Sequence, residues 1–360
     1  MPDTTTVLVT GAGGLLGAEV AARLTARGHT VLALLHRRTG IVRNDGSPLT
    51  PAPGTLTPLT GDITRSGLGL DDDARRLALT ADRIVHCAAV TDFGRPAGLY
   101  DTVNIRGTRH VLDLARVHRT PLVHVSTAYV CGERDGVAHE DELDVGQRPG
   151  NDYERSKLAA EILVREAAAR GLPVAVVRPS IITGASRTGR IRDFRTIYPV
   201  LKVFTRGLVR TAPGDYGAVL DLVPVDRVAG LVTEAALRFA DAEGQTLHAV
   251  GHEVTLKDFS DVLAEYPSFR VPRFVPPSAF SAAALPQRER PYYERVIALY
   301  GTYFRRRVHF DDARAAAFAG RPSAPRGRTH LRRLLDHCLR AGYLGTPRRP
   351  AAPPAHGSAQ

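Results

Sequence analysis

Residues 7–17 read Val-Leu-Val-Thr-Gly-Ala-Gly-Gly-Leu-Leu-Gly. The run Val7–Val9 reads as a buried strand, and Gly11, Gly14 and Gly17 follow at i, i+3 and i+6. An amphipathic stretch comes next, with Leu15, Leu16, Val20 and Leu24 on one stripe before Gly28. Strand, glycine turn and helix in that order restrict the chain to a dinucleotide-binding opening. Glycine admits the tight turn and lets backbone approach a pyrophosphate, while the helix N-terminus offers free N–H groups. The alternative is a tight turn without a ligand; the flanking strand and helix weigh against it.

The next strand spans Thr30–Leu35 and ends where an adenosine ribose is expected. An acidic residue there accepts the ribose 2′-hydroxyl of NAD; this chain carries His36, Arg37 and Arg38 instead. Arginine pairs with a 2′-phosphate, so the pattern favours NADPH over NADH. Arg37 and Arg38 as plain solvated charges are the competing reading.

The rest of the chain continues the alternation. Strands are expected at Ala81–Cys87, Pro121–Val125 and Val174–Val177, with helices over 105–119 and 152–170. Helix-sized spacers between strands imply parallel pairing. The expected fold is α/β, a Rossmann-type doubly wound parallel sheet with a smaller C-terminal substrate lobe. Residues 1–180 form the expected NADP-binding core, with a returning segment near 215–255. Residues 181–344 form mainly the substrate lobe. There Phe280, Tyr292, Tyr293, Tyr300, Tyr303, Phe304 and Phe310 are expected to supply core, with one or two lining an acyl channel. A terminal helix over 329–344, capped by Thr329, precedes a Pro- and Ala-rich tail at 345–360 expected to be disordered.

Composition narrows the class. The net charge is +11, and only three of 48 basic residues are lysine. Basic balance admits anionic partners, but no nucleic-acid module appears. Cys87, Cys131 and Cys338 have neither metal-type spacing nor an even disulfide count, which fits a reducing cytoplasm. The opening Met-Pro-Asp-Thr-Thr-Thr lacks a basic signal-peptide region, and no uncharged apolar run is long enough to span a bilayer. His86, His110, His118 and His124 are scattered without ligand spacing, so no metal site is expected.

Chemistry enters at Tyr153 and Lys157, which stand at i and i+4 on one helix face. A nearby ammonium is expected to lower the phenol's pKa and prepare it for proton transfer. Ser126-Thr127, at the carboxyl end of a parallel strand, places a hydroxyl where open α/β sheets bind ligands.

Together these segments resemble the extended short-chain dehydrogenases/reductases over roughly residues 5–255. The resemblance rests on Thr10-Gly11-x-x-Gly14-x-x-Gly17, Gly61-Asp62-Ile63, His86-Cys87-Ala88-Ala89, Asn104-x-x-Gly107-Thr108 and Ser126–Gly132. It implies a triad of Thr127, Tyr153 and Lys157. It also implies cofactor contacts from Gly11, Gly14, Leu15, Leu16, Gly17, Asp62, Ile63, Ala88, Ala89, Asn104, Tyr153, Lys157 and Pro179. Val125–Val130, Arg178–Gly184 and Asp221–Asp226 are similar to the fatty acyl-CoA reductases and the terminal reductase domains of peptide synthetases. That branch reduces acyl thioesters with NADPH to an aldehyde or alcohol. Within these residues no carrier domain is recognisable, so coenzyme A or an acidic carrier protein is the expected bearer. Arg187, Arg190, Arg192 and Arg195 are placed to steer such an anion. A ketone, hydroxysteroid-like or sugar-nucleotide substrate is the alternative within the fold, and a non-catalytic NADP-binding sensor is the alternative outside it. An oligomer is compatible with either.

Overall fold

The computed structural model describes residues 4–37, 40–320 and 327–345. Arg38 and residues 346–360 of the expected tail lie outside them.

A seven-stranded sheet forms the centre. Its strands are β1 (Thr6–Thr10), β2 (Thr30–Leu35), β3 (Leu56–Thr60), β4 (Arg83–His86), β5 (Leu122–Val125), β6 (Val174–Pro179) and β7 (Thr246–Ala249). The order is β7-β6-β5-β4-β1-β2-β3, and every neighbouring pair runs parallel. The architecture is the Rossmann-type doubly wound sheet expected. The strand order reverses between β1 and β4, so the crevice opens at the carboxyl ends of these two strands.

Both sheet faces are covered, which is why its strands read as continuous apolar runs rather than alternating ones. On one face the helices Leu15–Ala26 and Val225–Leu237 pack over Val7, Val9, Val85 and Val123. On the other, the helices Gly107–His118 and Asp152–Ala169 cover Leu8, Ile84, Leu122 and Val176. A second apolar core gathers almost entirely residues after 190, including Tyr198, Phe204, Phe259, Phe304 and Leu334, with Tyr129 joining from the sheet side. Beside it Val219–Pro224 pairs in parallel with Ile181–Thr183 and antiparallel with His252–Thr255.

Two boundaries differ from expectation. Thr329 is no cap: it lies inside the helix Gly327–Arg340. A Cβ on Gly327 would stand 2.4 Å from the Glu253 carbonyl oxygen, so the helix is already packed on the His252–Thr255 strand two residues before Thr329. The helix expected from 105 is preceded by a π-turn over Asp101–Arg106 that carries Asn104.

Candidate active site

A cleft of about 880 Å³ opens at the carboxyl ends of the sheet strands. Its glycine-rich wall is built so that no side chain fits. Gly11 has φ +68°, and a Cβ there would lie 2.7 Å from the Ala88 nitrogen; at Gly17 it would lie 2.3 Å from the Gly11 oxygen. The Gly14 N–H donates to the Gly11 carbonyl at 2.8 Å and closes the turn. Gly14 then caps the helix Leu15–Ala26 with no side-chain hydrogen bond, and no acidic residue stands in that helix's first turn. Its leading N–H groups are left for an anion, and the helix dipole favours one. The cradle fits a dinucleotide pyrophosphate.

The expected cofactor residues largely converge here. Gly11, Gly14, Leu15, Leu16, Gly17, Arg37, Asp62, Ile63, Ala88, Ala89 and Pro179 all line the cleft. Arg37 is exposed just past the end of β2. The Asp62 carboxylate accepts from the Thr64 N–H at 2.9 Å and hydroxyl at 2.7 Å, and faces His36 at 3.5 Å. Burial alone would raise its pKa; the Thr64 hydrogen bonds and His36 outweigh that and lower it. Asn104 does not line the cleft. It stands behind, accepting from the Val90 N–H at 2.8 Å and donating to the Val90 carbonyl and the Ser156 hydroxyl. Its place is to pin the loop that follows β4.

Thr127, Tyr153 and Lys157 meet in the same cleft. Thr127 follows β5 and caps the short turn Ala128–Cys131; its hydroxyl donates to the Pro179 carbonyl at 3.2 Å. Tyr153 stands in the first turn of the helix Asp152–Ala169, which Asn151 caps by accepting from the Glu154 N–H at 2.9 Å. One turn later Lys157, 3% exposed, donates to the Val125 carbonyl at 2.9 Å. Burial lowers the Lys157 pKa to about 8, against the smaller pull of Glu161. The expected depression of the phenol is not met: burial pushes Tyr153 well above the usual tyrosine value, and the hydrogen bond with Thr127 offsets only part of it. In this state the Lys157 ammonium is turned to the strand backbone. Tyr153 therefore keeps its proton at neutral pH.

Other titratable groups nearby are structural. The His86 ring is held between the Thr10 hydroxyl at 2.7 Å and the Thr108 hydroxyl at 3.1 Å, and burial pushes its pKa down to about 3. His110 meets the Ile63 carbonyl at 2.9 Å, His124 is fully buried and His118 is exposed. Burial raises Cys87 and Cys131 to about 12, which makes both poor nucleophiles. Among the described residues no group of three His, Cys, Asp or Glu is placed to hold a metal. No described helix is long and apolar enough to cross a membrane.

The four expected steering arginines divide. Arg192 is half-buried and engaged by Asp193, the Val42 carbonyl and the Gly13 carbonyl, so it ties the later chain to the glycine loop. Arg195 pairs with Asp92 at 3.1 Å. Arg187 and Arg190 are exposed. The aromatic residues divide as well: Phe304 is core, Tyr292 is exposed, and Tyr300 and Tyr303 line the cleft.

Sequence reasoning missed Phe93 and Ser180, and the basic run Arg305–Arg307 reads from sequence as a solvated face or a phosphate-holding patch, whereas Arg306 is buried. Phe93 and Ser180 line the cleft, and Ser180 bonds the buried Asp221 carboxylate. Arg306, 4% exposed, clasps Glu154 at 2.9 Å on the first turn that carries Tyr153. The one available signal was a phenylalanine set among polar residues, glycine and proline in Thr91–Pro96.

A family profile described as male sterility protein, of the NAD-binding kind, matches residues 9–232. The chain is 28% identical over 275 residues to probable fatty acyl-CoA reductase 4 of Arabidopsis thaliana, covering 59% of this chain and 55% of that protein. The chain thus spans about half the length of that relative. It is 31% identical over 291 residues to sterol demethylase protein B of Methylococcus capsulatus, covering 78% of this chain and 80% of that protein. The crystal structure of the terminal R domain from the myxalamid PKS-NRPS pathway superposes with a TM-score of 0.77 at 28% identity, covering 96% of this chain and 93% of that one.

Proposed function

The chain belongs to the male sterility protein family, a thioester-reductase branch of the extended short-chain dehydrogenases/reductases; from that premise we propose that it is an NADPH-dependent reductase of an acyl thioester. The observation that carries the reading is the convergence of Thr127, Tyr153 and Lys157 on one cleft with a glycine loop closed to side chains. When bound, the nicotinamide supplies the hydride. The tight turn at Gly11 and Gly14 lets the leading N–H groups of Leu15, Leu16 and Gly17 face the pyrophosphate they would hold, and Arg37 would meet the 2′-phosphate. Lys157 secures the nicotinamide ribose from its seat on the Val125 carbonyl. The Thr127 hydroxyl turns from the Pro179 carbonyl to the substrate oxygen. Tyr153, protonated at neutral pH, delivers a proton to that oxygen as the carbon is reduced.

The C–S bond then breaks as the hydroxyl proton passes to sulfur, which releases the thiol and leaves an aldehyde; a second NADPH would allow the same site to reduce it to an alcohol. The thioester is borne by coenzyme A or an acidic carrier protein, and the exposed Arg187 and Arg190 are the residues left to meet its negative charge. Support for the thioester comes from the plant fatty acyl-CoA reductase and the PKS-NRPS terminal domain that the chain resembles. A second reading, hydride transfer at a ring ketone or hydroxyl, draws on the sterol demethylase protein, which the chain matches over 80% of its length. Anaerobic NADPH oxidation with a panel of acyl-CoAs and cyclic ketones, with products identified by mass, separates the two. Aldehyde or alcohol from the thioesters supports the first reading; turnover of the ketones alone supports the second.

A further inference from the structure

The substrate half of the cleft is closed by a cluster of aromatic rings, and one of them comes from the nucleotide-binding half of the chain. Phe93 lies on the loop after β4, yet its ring packs against the second core. Its centroid is 4.9 Å from Tyr300, 5.6 Å from Tyr303 and 5.7 Å from Tyr153. Rings at such separations are in contact, so no carbon chain fits between Phe93 and Tyr153. The loop is also fastened. Asn104 holds Val90, the Tyr100 hydroxyl donates to the Asp92 carbonyl at 2.5 Å, and the Asp92 carboxylate pairs with Arg95 and Arg195. Gly94 follows at φ +72°, where a Cβ would stand 3.0 Å from Leu299. Tyr300 is fastened too, its hydroxyl donating to the Thr196 carbonyl at 2.6 Å.

We propose that Phe93 is the specificity-determining residue of this site: its ring is a fixed wall beside the reacting carbonyl and limits branching on the first carbons of the acyl group. The inference rests on the thioester reading above. A straight acyl chain leaves the carbonyl carbon along one line and passes the ring. A methyl branch or an aromatic ring on the α- or β-carbon is driven into it. Steric exclusion of one such group is worth about 10- to 200-fold in a packed apolar pocket.

The test compares the native protein with Phe93→Ala and Phe93→Trp, using butyryl-, isovaleryl- and phenylacetyl-CoA and the corresponding free aldehydes. Phe93→Ala raises the branched-to-straight ratio of kcat/KM by about tenfold or more, and Phe93→Trp lowers it, while NADPH affinity stays the same in all three. A ratio that moves in neither variant overturns the proposal. Because the chain contains no tryptophan, the indole introduced by Phe93→Trp is also a sole tryptophan reporter, excited at the red edge where tyrosine does not absorb. Acrylamide quenches a walled-in indole far less than free N-acetyltryptophanamide; equal quenching overturns the wall. If no protein reduces any thioester while the aldehyde ratios shift as stated, the thioester reading falls and the wall stands.

Discussion

Glu161 and Arg178 form an ion pair sealed from solvent beneath the site. Their side chains are 0% and 2% exposed, with Nη2–Oε1 at 2.7 Å and Nε at 3.1 Å from both carboxylate oxygens. Glu161 lies one turn beyond Lys157 on the same helix, and Arg178 immediately precedes Pro179, whose carbonyl takes the Thr127 hydroxyl. The pair thus fastens the helix of Tyr153 and Lys157 to the strand end that orients Thr127. Glu161→Leu leaves a buried guanidinium with the Glu142 carbonyl and His248 as its remaining partners. Breaking such a pair from one side costs about 3–5 kcal/mol, because an uncompensated charge stays buried. For 360 residues, an unfolding entropy of about 2.1 cal/mol/K per residue turns this into a Tm loss of about 4–7 °C. Removing both charges, in Glu161→Leu/Arg178→Met, restores part of the loss, since Arg165, 3.5 Å from Glu161 and partly exposed, still loses that partner. Calorimetry on the four members of this cycle reads it directly. A single variant that melts like the native protein, or a double variant no more stable than the single one, refutes the reasoning.

Arg37→Asp replaces a charge-assisted contact to the 2′-phosphate with repulsion. NADPH affinity by titration calorimetry then falls by about 2–4 kcal/mol while NADH affinity changes little; equal native affinity for the two cofactors contradicts this. Burial lowers His86 to about 3 and His248 and His330 to about 4. Below the ordinary histidine value near 6.5 the unfolded chain therefore binds protons that the native state refuses. Stability is lost as pH falls from about 6.5 towards 4, at about 1.4 kcal/mol per pH unit for each histidine. Urea unfolding that is flat across this window counts against the burial argument.

Much of the nucleotide-binding half was legible because its signals are local. A glycine spacing between an apolar strand and an amphipathic helix, and Tyr153 with Lys157 on one helix face, need no tertiary knowledge. The strand β3 was not legible. Leu56–Thr60 carries Pro58 and alternates poorly, a pattern tolerated because β3 is an edge strand paired only with β2. Phe93 and Arg306 were hidden for a different reason. Each acts on a partner far away in sequence, Tyr300 and Glu154, and no local period announces such a contact. The raised pKa of Tyr153 comes from burial, which spacing alone cannot register, while the lysine one turn away donates to the Val125 carbonyl.

The most direct measurement follows the hydrogen. NADPH carrying deuterium at both hydrogens of nicotinamide C4 is mixed anaerobically with an acyl-CoA, and the product is analysed by mass. The account predicts an aldehyde with one deuterium on its former carbonyl carbon, or an alcohol with two, formed by the native protein. The rate drops by about 10²–10⁴ in Tyr153→Phe, with NADPH affinity nearly unchanged. Unlabelled product, or native turnover by Tyr153→Phe, contradicts it.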